Sequence, residues 1–152
     1  MTEQEFIQQA EGLKGRLYRT AWLYLGSEAC AVDAVDEAVY QGFLHYKRLR
    51  QPEYFATWMT RILINACNAE LRRRKLAVAE LPETAAEAFD ALPLREAVAR
   101  LPRELRAVVV LRYFQGLTLA ETAQALDIPP GTVSTRQRKA LSLLKLHLTE
   151  EV

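Results

Sequence analysis

The sequence predicts an all-α protein of two small helical domains joined by an acidic linker. Alanine, leucine, glutamate, arginine and glutamine dominate, and no segment alternates apolar and polar residues as a half-buried strand does. With 50% hydrophobic and 26% charged residues, the chain is expected to bury a core rather than stay disordered. Its 152 residues suffice for a domain over 1–76, a linker over 77–93 and a second domain over 94–152.

Three amphipathic helices are predicted in the first domain. Thr2 and Glu5 have the spacing of a capping box, Ser27 can cap a second helix after the break at Gly26, and a third helix is expected to begin near Glu53. Apolar side chains recur every three or four residues along the third helix and predict its buried stripe: Phe55, Trp58, Met59, Ile62, Leu63 and Ala66. Ile64 and Leu71 lie opposite this stripe, which leaves open whether another helix or a partner covers them.

The linker is predicted from charge and proline. Glu80, Glu83, Glu87 and Asp90 are its charged residues, all acidic, and the prolines of Leu81-Pro82 and Leu92-Pro93 are expected to break any helix there.

The second domain contains the pattern of a helix-turn-helix. Thr118 and Glu121 form a capping box before a short helix that should stop at 127–129, and Pro130 suits the first position of the next helix. The predicted buried side of that next helix is Val133, Ala140, Leu141, Leu144 and Leu148, and the opposite face carries Thr135, Arg138, Lys139 and Ser142, flanked by Ser134 and Arg136.

Charge on this last helix indicates DNA binding. Residues 131–148 contain four basic residues and no acidic one, so the helix can displace counterions from phosphates, and arginine, serine and threonine can reach base edges in the major groove. The alternative is a solvated basic helix in a bundle.

Basic and aromatic residues also converge in the first domain. Lys47, Arg48 and Arg50 precede Tyr54, and the third helix ends in the cluster 72–75. Positive charge beside aromatic rings is typical of single-strand binding, although basic residues at a helix C-terminus also complement the helix dipole. Phe55 and Trp58 are predicted to be core, which leaves Tyr54 as the exposed ring.

No catalytic, metal or cofactor site is predicted. Asp33, Asp36 and Glu37 have no histidine or nucleophile arranged with them, so a solvated or partner-binding face is expected instead. Cys30 and Cys67 lack metal-ligand spacing and should pack as small hydrophobes. Neither a signal peptide nor an apolar run of membrane-spanning length is visible, so a cytoplasmic protein without membrane insertion is expected.

Several segments together resemble the extracytoplasmic-function (ECF) sigma factors of bacterial RNA polymerase. The stretch 31–37 (AVDAVDE) is similar to the family's acidic helix that binds core polymerase, and 52–58 (PEYFATW), continuing to Arg74, resembles the segment that melts and reads the −10 element. The stretches 101–106 (LPRELR), 111–114 (LRYF) and 131–136 (GTVSTR) resemble the domain that reads the −35 element. Asp36 stands where the family usually has glutamine, and Pro129 where it usually has a serine cap.

The resemblance implies a non-enzymatic subunit that directs core polymerase to promoter DNA. It implies −35 contacts by Ser134, Thr135, Arg136, Arg138 and Lys139, and −10 contacts by Lys47, Arg48, Arg50, Tyr54, Arg61, Asn65, Asn68 and Arg72. Asp33, Asp36, Glu37 and Tyr40 would meet the clamp helices of the polymerase's largest subunit, and the flap of the second-largest subunit would be a further contact. It also implies an anti-sigma partner and no small-molecule substrate.

A different class of function remains open on the residues alone. A stand-alone helix-turn-helix regulator would use the second domain for duplex DNA and the first domain for dimerisation or sensing.

Overall fold

The computed structural model describes residues 1–76 and 92–150, without the side chains of residues 75, 76, 92, 93 and 146–150. Every regular element within these ranges is helical, and no strand occurs in them. The all-α prediction is therefore confirmed. The acidic residues of the predicted linker lie outside the described residues.

Helices α1 to α3 make up the N-terminal half. Helix α1, Glu3–Leu25, begins with the predicted capping box of Thr2 and Glu5 and ends at Gly26, whose φ of 74° closes the helix in the left-handed region. Helix α2, Glu28–His45, is capped by Ser27, whose hydroxyl accepts the Cys30 N–H at 3.2 Å.

The third helix begins slightly later than predicted. Two 3₁₀ turns, Tyr46–Arg48 and Pro52–Tyr54, connect α2 to α3, which spans Phe55–Leu76. A proline at the start of the second turn is tolerated because its missing N–H has no partner to lose.

Helices α4 to α7 make up the C-terminal half: α4 Leu92–Arg100, α5 Arg103–Val109, α6 Leu119–Leu126 and α7 Pro130–Glu150. A π-helical turn, Val110–Phe114, continues α5. Helix α4 begins at Leu92, inside the range predicted as linker, and the residues before it, including Leu81-Pro82, lie outside the described ones. Pro93 occupies the first turn of α4, where a proline costs no hydrogen bond.

The two halves share one hydrophobic core. Phe6, Leu17 and Met59 of the N-terminal half belong to the same cluster as Leu111 and Ala125 of the C-terminal half. Ile64 is 4% exposed and lies beside α5 and α6, so its cover is the C-terminal half of the same chain. The question left open for Ile64 by its position on α3 is thereby answered.

Four of the five residues on the predicted buried side of α7 have described side chains, and three of these four are buried; the side chain of Leu148 lies outside the description. Val133, Ala140 and Leu144 are buried, whereas Leu141 is 42% exposed. Successive helical residues are 100° apart, so Leu141 turns away from the surface that its neighbour Ala140 packs against.

Candidate nucleic-acid interface

The helix-turn-helix has the predicted local structure. The Thr118 hydroxyl accepts the Glu121 N–H at 3.1 Å, and the Glu121 carboxylate accepts the Thr118 N–H at 2.9 Å. Helix α6 then ends at Asp127 in the left-handed conformation, with φ of 59°, and α7 begins three residues later. The tight turn fixes α7 against α6 and presents its outer side to solvent.

The candidate −35 residues share one side of α7. Thr135, Arg138 and Lys139 are exposed, and Ser134 and Arg136 are half-buried at the edges of this side. Arg136 lies 4.0 Å from Glu104 of α5. The exposed side therefore combines hydroxyl groups, which can donate or accept hydrogen bonds, with cations that attract phosphate.

The candidate −10 residues divide into two groups. Lys47, Arg48, Arg50 and Tyr54 are exposed on the connection between α2 and α3. Tyr54 lines an open groove of about 480 Å³ with Leu49, Gln51, Thr57, Trp58, Arg61, Gln124 and Asp127. Aromatic rings beside cations form a surface on which a nucleic-acid base can stack.

The second group lies along α3 and faces the C-terminal half. Arg61, Asn65 and Asn68 line a cavity of about 190 Å³ whose other walls include Arg103, Asp127 and Arg136. The Arg61 guanidinium lies 3.3 Å from the Asp127 carboxylate. Arg72 is exposed near the end of α3, apart from this cavity. Arg61 thus belongs to both groups, while the remaining members stay on separate surfaces.

Asn68 is held in place by a buried phenol. Burial raises the pKa of the Tyr24 side chain to about 12, so its hydroxyl stays protonated and donates to Asn68 Oδ1 at 2.7 Å. The Arg106 guanidinium lies 5.3 Å from the centre of the Tyr24 ring, within cation–π distance.

A separate acidic side is present on α2. Asp33, Asp36, Glu37 and Tyr40 are exposed, and Phe43 and Leu44 extend this side as exposed apolar residues. Acidic groups next to exposed apolar side chains fit a protein partner with a basic, partly apolar surface.

Comparisons with known proteins identify the family of the chain. The Sigma-70 region 2 family model matches residues 10–76, and the Sigma-70 region 4 model matches residues 97–146. The ECF RNA polymerase sigma factor SigM of Mycobacterium tuberculosis is 32% identical over 136 residues, covering 85% of this chain and 69% of SigM. The chain belongs to the ECF class of the sigma-70 family. Sigma factors direct RNA polymerase to promoters and are not enzymes.

Further relatives of this sigma factor extend over most of its length. The RNA polymerase sigma factor SigV of Bacillus subtilis is 28% identical over 145 residues, covering 91% of this chain and 87% of SigV. Among solved structures, the sigma factor RpoE of Bartonella quintana in complex with the anti-sigma factor NepR superposes with a TM-score of 0.83 at 17% identity, covering 96% of this chain and 98% of RpoE. CnrH in complex with the cytosolic domain of CnrY superposes with a TM-score of 0.80 at 20% identity, covering 99% of this chain and 92% of CnrH. These likenesses support the helical fold.

Residues that hold the two halves of the sigma factor together were not predicted from the sequence. Thr20 is 2% and Thr60 0% exposed, and both bond to Gln115 of the C-terminal half. A weak signal exists for Thr20, because it is a polar residue within the apolar side of α1. The sequence around Gln115 does not indicate that this side chain is buried, because its cover comes from the other half of the molecule.

No helix among residues 1–76 and 92–150 has the length and apolar character needed to cross a membrane.

Proposed function

We propose that this sigma factor reads the −35 element with the exposed side of α7. This proposal depends most on the position of five polar residues on the side of α7 that faces away from its buried residues. The five are Ser134, Thr135, Arg136, Arg138 and Lys139, and the buried residues are Val133, Ala140 and Leu144. A recognition helix enters the major groove, where arginine can bind guanine through two hydrogen bonds and hydroxyl side chains can meet several bases.

The −10 element is melted and held by the N-terminal half. Lys47, Arg48 and Arg50 attract the phosphates of the displaced strand, and the exposed Tyr54 ring offers a stacking surface for a base. Arg61, Asn65, Asn68 and Arg72 provide hydrogen-bond donors and positive charge along α3. An extruded base would enter the groove beside Tyr54 and Trp58.

Core polymerase binds the acidic side of α2. Asp33, Asp36, Glu37 and Tyr40 meet the clamp helices of the largest subunit, and the C-terminal half meets the flap of the second-largest subunit. Exposure of all four side chains supports this assignment, because a docking surface must be accessible before assembly.

The domains are 1–76 for core polymerase and the −10 element, 77–93 as linker, and 94–152 for the −35 element. The protein acts in the cytoplasm, performs no catalysis itself and uses no cofactor or small-molecule substrate. An anti-sigma factor is a further partner, supported by the superposition on RpoE and CnrH, whose structures were solved as complexes.

Mutating the α7 surface and the α2 surface separately tests the proposal. Purified variants are added to bacterial core polymerase, and binding to polymerase, binding to duplex promoter fragments and transcript yield are measured separately. Arg138→Ala combined with Lys139→Ala should weaken duplex binding by at least about tenfold and leave polymerase binding unchanged. Asp33→Ala combined with Asp36→Ala should weaken polymerase binding and leave duplex binding unchanged. Lys14→Ala, a charge change on an exposed part of α1, is the control and should affect none of these measurements.

The stand-alone regulator predicts a different pattern. That protein would bind duplex DNA through α7 without any affinity for core polymerase, and the α2 variants would be indistinguishable from the parent. Such a result would overturn the sigma-factor mechanism proposed here.

A further inference from the structure

A small cavity lies where α1 meets α4 and the π-helical turn. Its volume is about 160 Å³, and both halves of the molecule contribute to its walls. Arg16, Arg19 and Leu23 line it from α1, and Leu94, Arg95 and Phe114 line it from the C-terminal half. None of these residues belongs to the −35, −10 or α2 surfaces proposed above. The cavity is therefore a separate candidate site.

Three side chains give the cavity apolar walls. Leu23 and Leu94 are half-buried and pack against the second core cluster of the molecule, which contains Val98 and Leu101. The Phe114 ring, 44% exposed, adds a third apolar wall. An apolar cavity of about 150 Å³ can hold a benzene molecule. The cavity beside α1 is thus large enough for a single aromatic ring.

Arginines give the same cavity a positive rim. Arg16 and Arg19 are exposed, and the described residues that line the cavity include no acidic side chain. Neither arginine forms an ion pair with an acidic residue that the structure describes. Arginine binds a carboxylate through two parallel hydrogen bonds, so this rim favours an anion.

Two further features of the walls favour an anion. Leu94 and Arg95 lie in the first turn of α4, whose N–H groups have no partner within the helix and carry partial positive charge. The hydroxyl of Thr20, which also lines the cavity, donates to Gln115 Oε1 at 2.9 Å. The side-chain donors that remain for a ligand in the described wall are therefore the guanidinium groups.

We propose that this cavity binds a small aromatic carboxylate. The ring lies between Leu23, Leu94 and Phe114, and the carboxylate accepts hydrogen bonds from Arg16 and Arg19 at the rim. A ring is favoured over a flexible chain, because it packs against the Phe114 ring and loses less conformational freedom on binding. The ligand contacts both halves at once, so its binding should stabilise the folded molecule. The site does not depend on the DNA surfaces assigned above.

The test titrates phenylacetate into the full-length protein and follows ¹H–¹⁵N NMR spectra, which give both the affinity and the position of the bound ligand. 2-Phenylethanol keeps the ring without the charge, and acetate keeps the charge without the ring. Arg16→Gln combined with Arg19→Gln removes charge from the rim, and Phe114→Ala removes an apolar wall. Lys14→Gln, which replaces an exposed cation of α1 outside the cavity, is the matched control. Circular dichroism verifies that each variant keeps its helices.

Phenylacetate should bind with a Kd of about 0.1–1 mM, as expected for a ligand of this size. The double arginine variant should bind it at least about tenfold more weakly, because charge-assisted hydrogen bonds are lost. 2-Phenylethanol should bind the parent protein more weakly by a similar factor. Phe114→Ala should weaken phenylacetate binding at least about threefold, and Lys14→Gln should match the parent. The largest chemical-shift changes should occur at residues 16–23, 94–95 and 114.

Four results would overturn the inference. The first is the absence of any shift change up to about 10 mM phenylacetate. The second is acetate that binds as tightly as phenylacetate, which would indicate attraction of any anion by surface charge. The third is equal weakening by Lys14→Gln and by the arginine variant, and the fourth is a set of shift changes centred away from the cavity. The arginine and phenylalanine variants remove different contacts, so either one remains informative if the other does not fold.

Discussion

Replacing Leu111 with alanine should destabilise both halves of the molecule together. Leu111 belongs to the π-helical turn of the C-terminal half, is 0% exposed, and packs in the core cluster that includes α1 and α3. A Leu→Ala change at a fully buried site costs about 2–5 kcal/mol, from lost burial and from the cavity left behind. With a urea dependence of about 2 kcal/mol per molar, the unfolding midpoint should fall by about 1–2.5 M.

Tryptophan fluorescence can show whether the Leu111 substitution in the C-terminal half also destabilises the N-terminal half. The chain has two tryptophans, Trp22 in α1 and Trp58 in α3, so tryptophan fluorescence reports on the N-terminal half and on its contact with α4, whose Arg95 guanidinium lies 4.9 Å from the centre of the Trp22 ring. Far-ultraviolet circular dichroism reports on all helices. Leu111→Ala should shift both transitions to lower urea by the same amount, and Tyr113→Ala, an exposed residue of the same turn, should shift neither by more than about 0.5 kcal/mol.

A split between the two signals would refute the shared-core reasoning. If Leu111→Ala lowered the circular-dichroism midpoint while the fluorescence transition stayed at the parent's value, the N-terminal half would fold independently of the C-terminal contact.

Three further predictions follow from local contacts. Gly12→Ala should raise stability by about 0.5–1 kcal/mol, because a Cβ there meets nothing within 4 Å. Gly42→Ala should lower stability by about 1–3 kcal/mol, because its Cβ would lie 2.7 Å from Met59 Sδ. Thermal unfolding measures both variants, and equal shifts of the same sign would contradict this pair of predictions. Thr118→Ala should cost about 1 kcal/mol by removing the α6 cap, and Thr118→Ser should restore most of it in urea titrations; a serine variant as weak as the alanine variant would disprove the capping role. Burial raises the pKa of the Cys67 thiol to about 12, so almost none of it is thiolate at pH 8. Ellman's reagent should therefore leave Cys67 unmodified until urea is added. Immediate labelling of both cysteines in the native protein would contradict the burial of Cys67.

Local rules predicted the helix ends well. The capping boxes at Thr2 and Thr118, the Ser27 cap and the start of α7 at Pro130 each depend on residues within one helical turn, and all are present. Such signals are visible in the sequence because the interacting groups are three or four residues apart.

The docking of the halves could not be predicted in the same way. The Thr20–Gln115 bond joins residues 95 apart in sequence, and the Thr60–Gln115 bond joins residues 55 apart. Helical periodicity identifies which side of a helix is buried, without identifying the element that covers it. The sequence therefore shows that Ile64 is an unusual apolar residue on its face of α3. It does not show that α5 and α6 cover that face.

The candidate site was predicted as a set of faces rather than as one surface. The exposed side of α7 follows from 100° per residue and agrees with the structure apart from Leu141. The separation of the α3 residues from Lys47, Arg48 and Arg50 depends on the two 3₁₀ turns and on contact with the C-terminal half, neither of which is a property of a single helix.

Transcription by core polymerase with and without this protein is the most direct test of the central claim. Purified bacterial core polymerase is incubated with fragmented genomic DNA from the source organism, and the 5′ ends of the products are mapped. The account predicts discrete new start sites, present only when the protein is added and preceded by two shared motifs centred near −10 and −35. Absence of new starts, together with binding to duplex DNA and none to core polymerase, would contradict it and identify a stand-alone regulator instead.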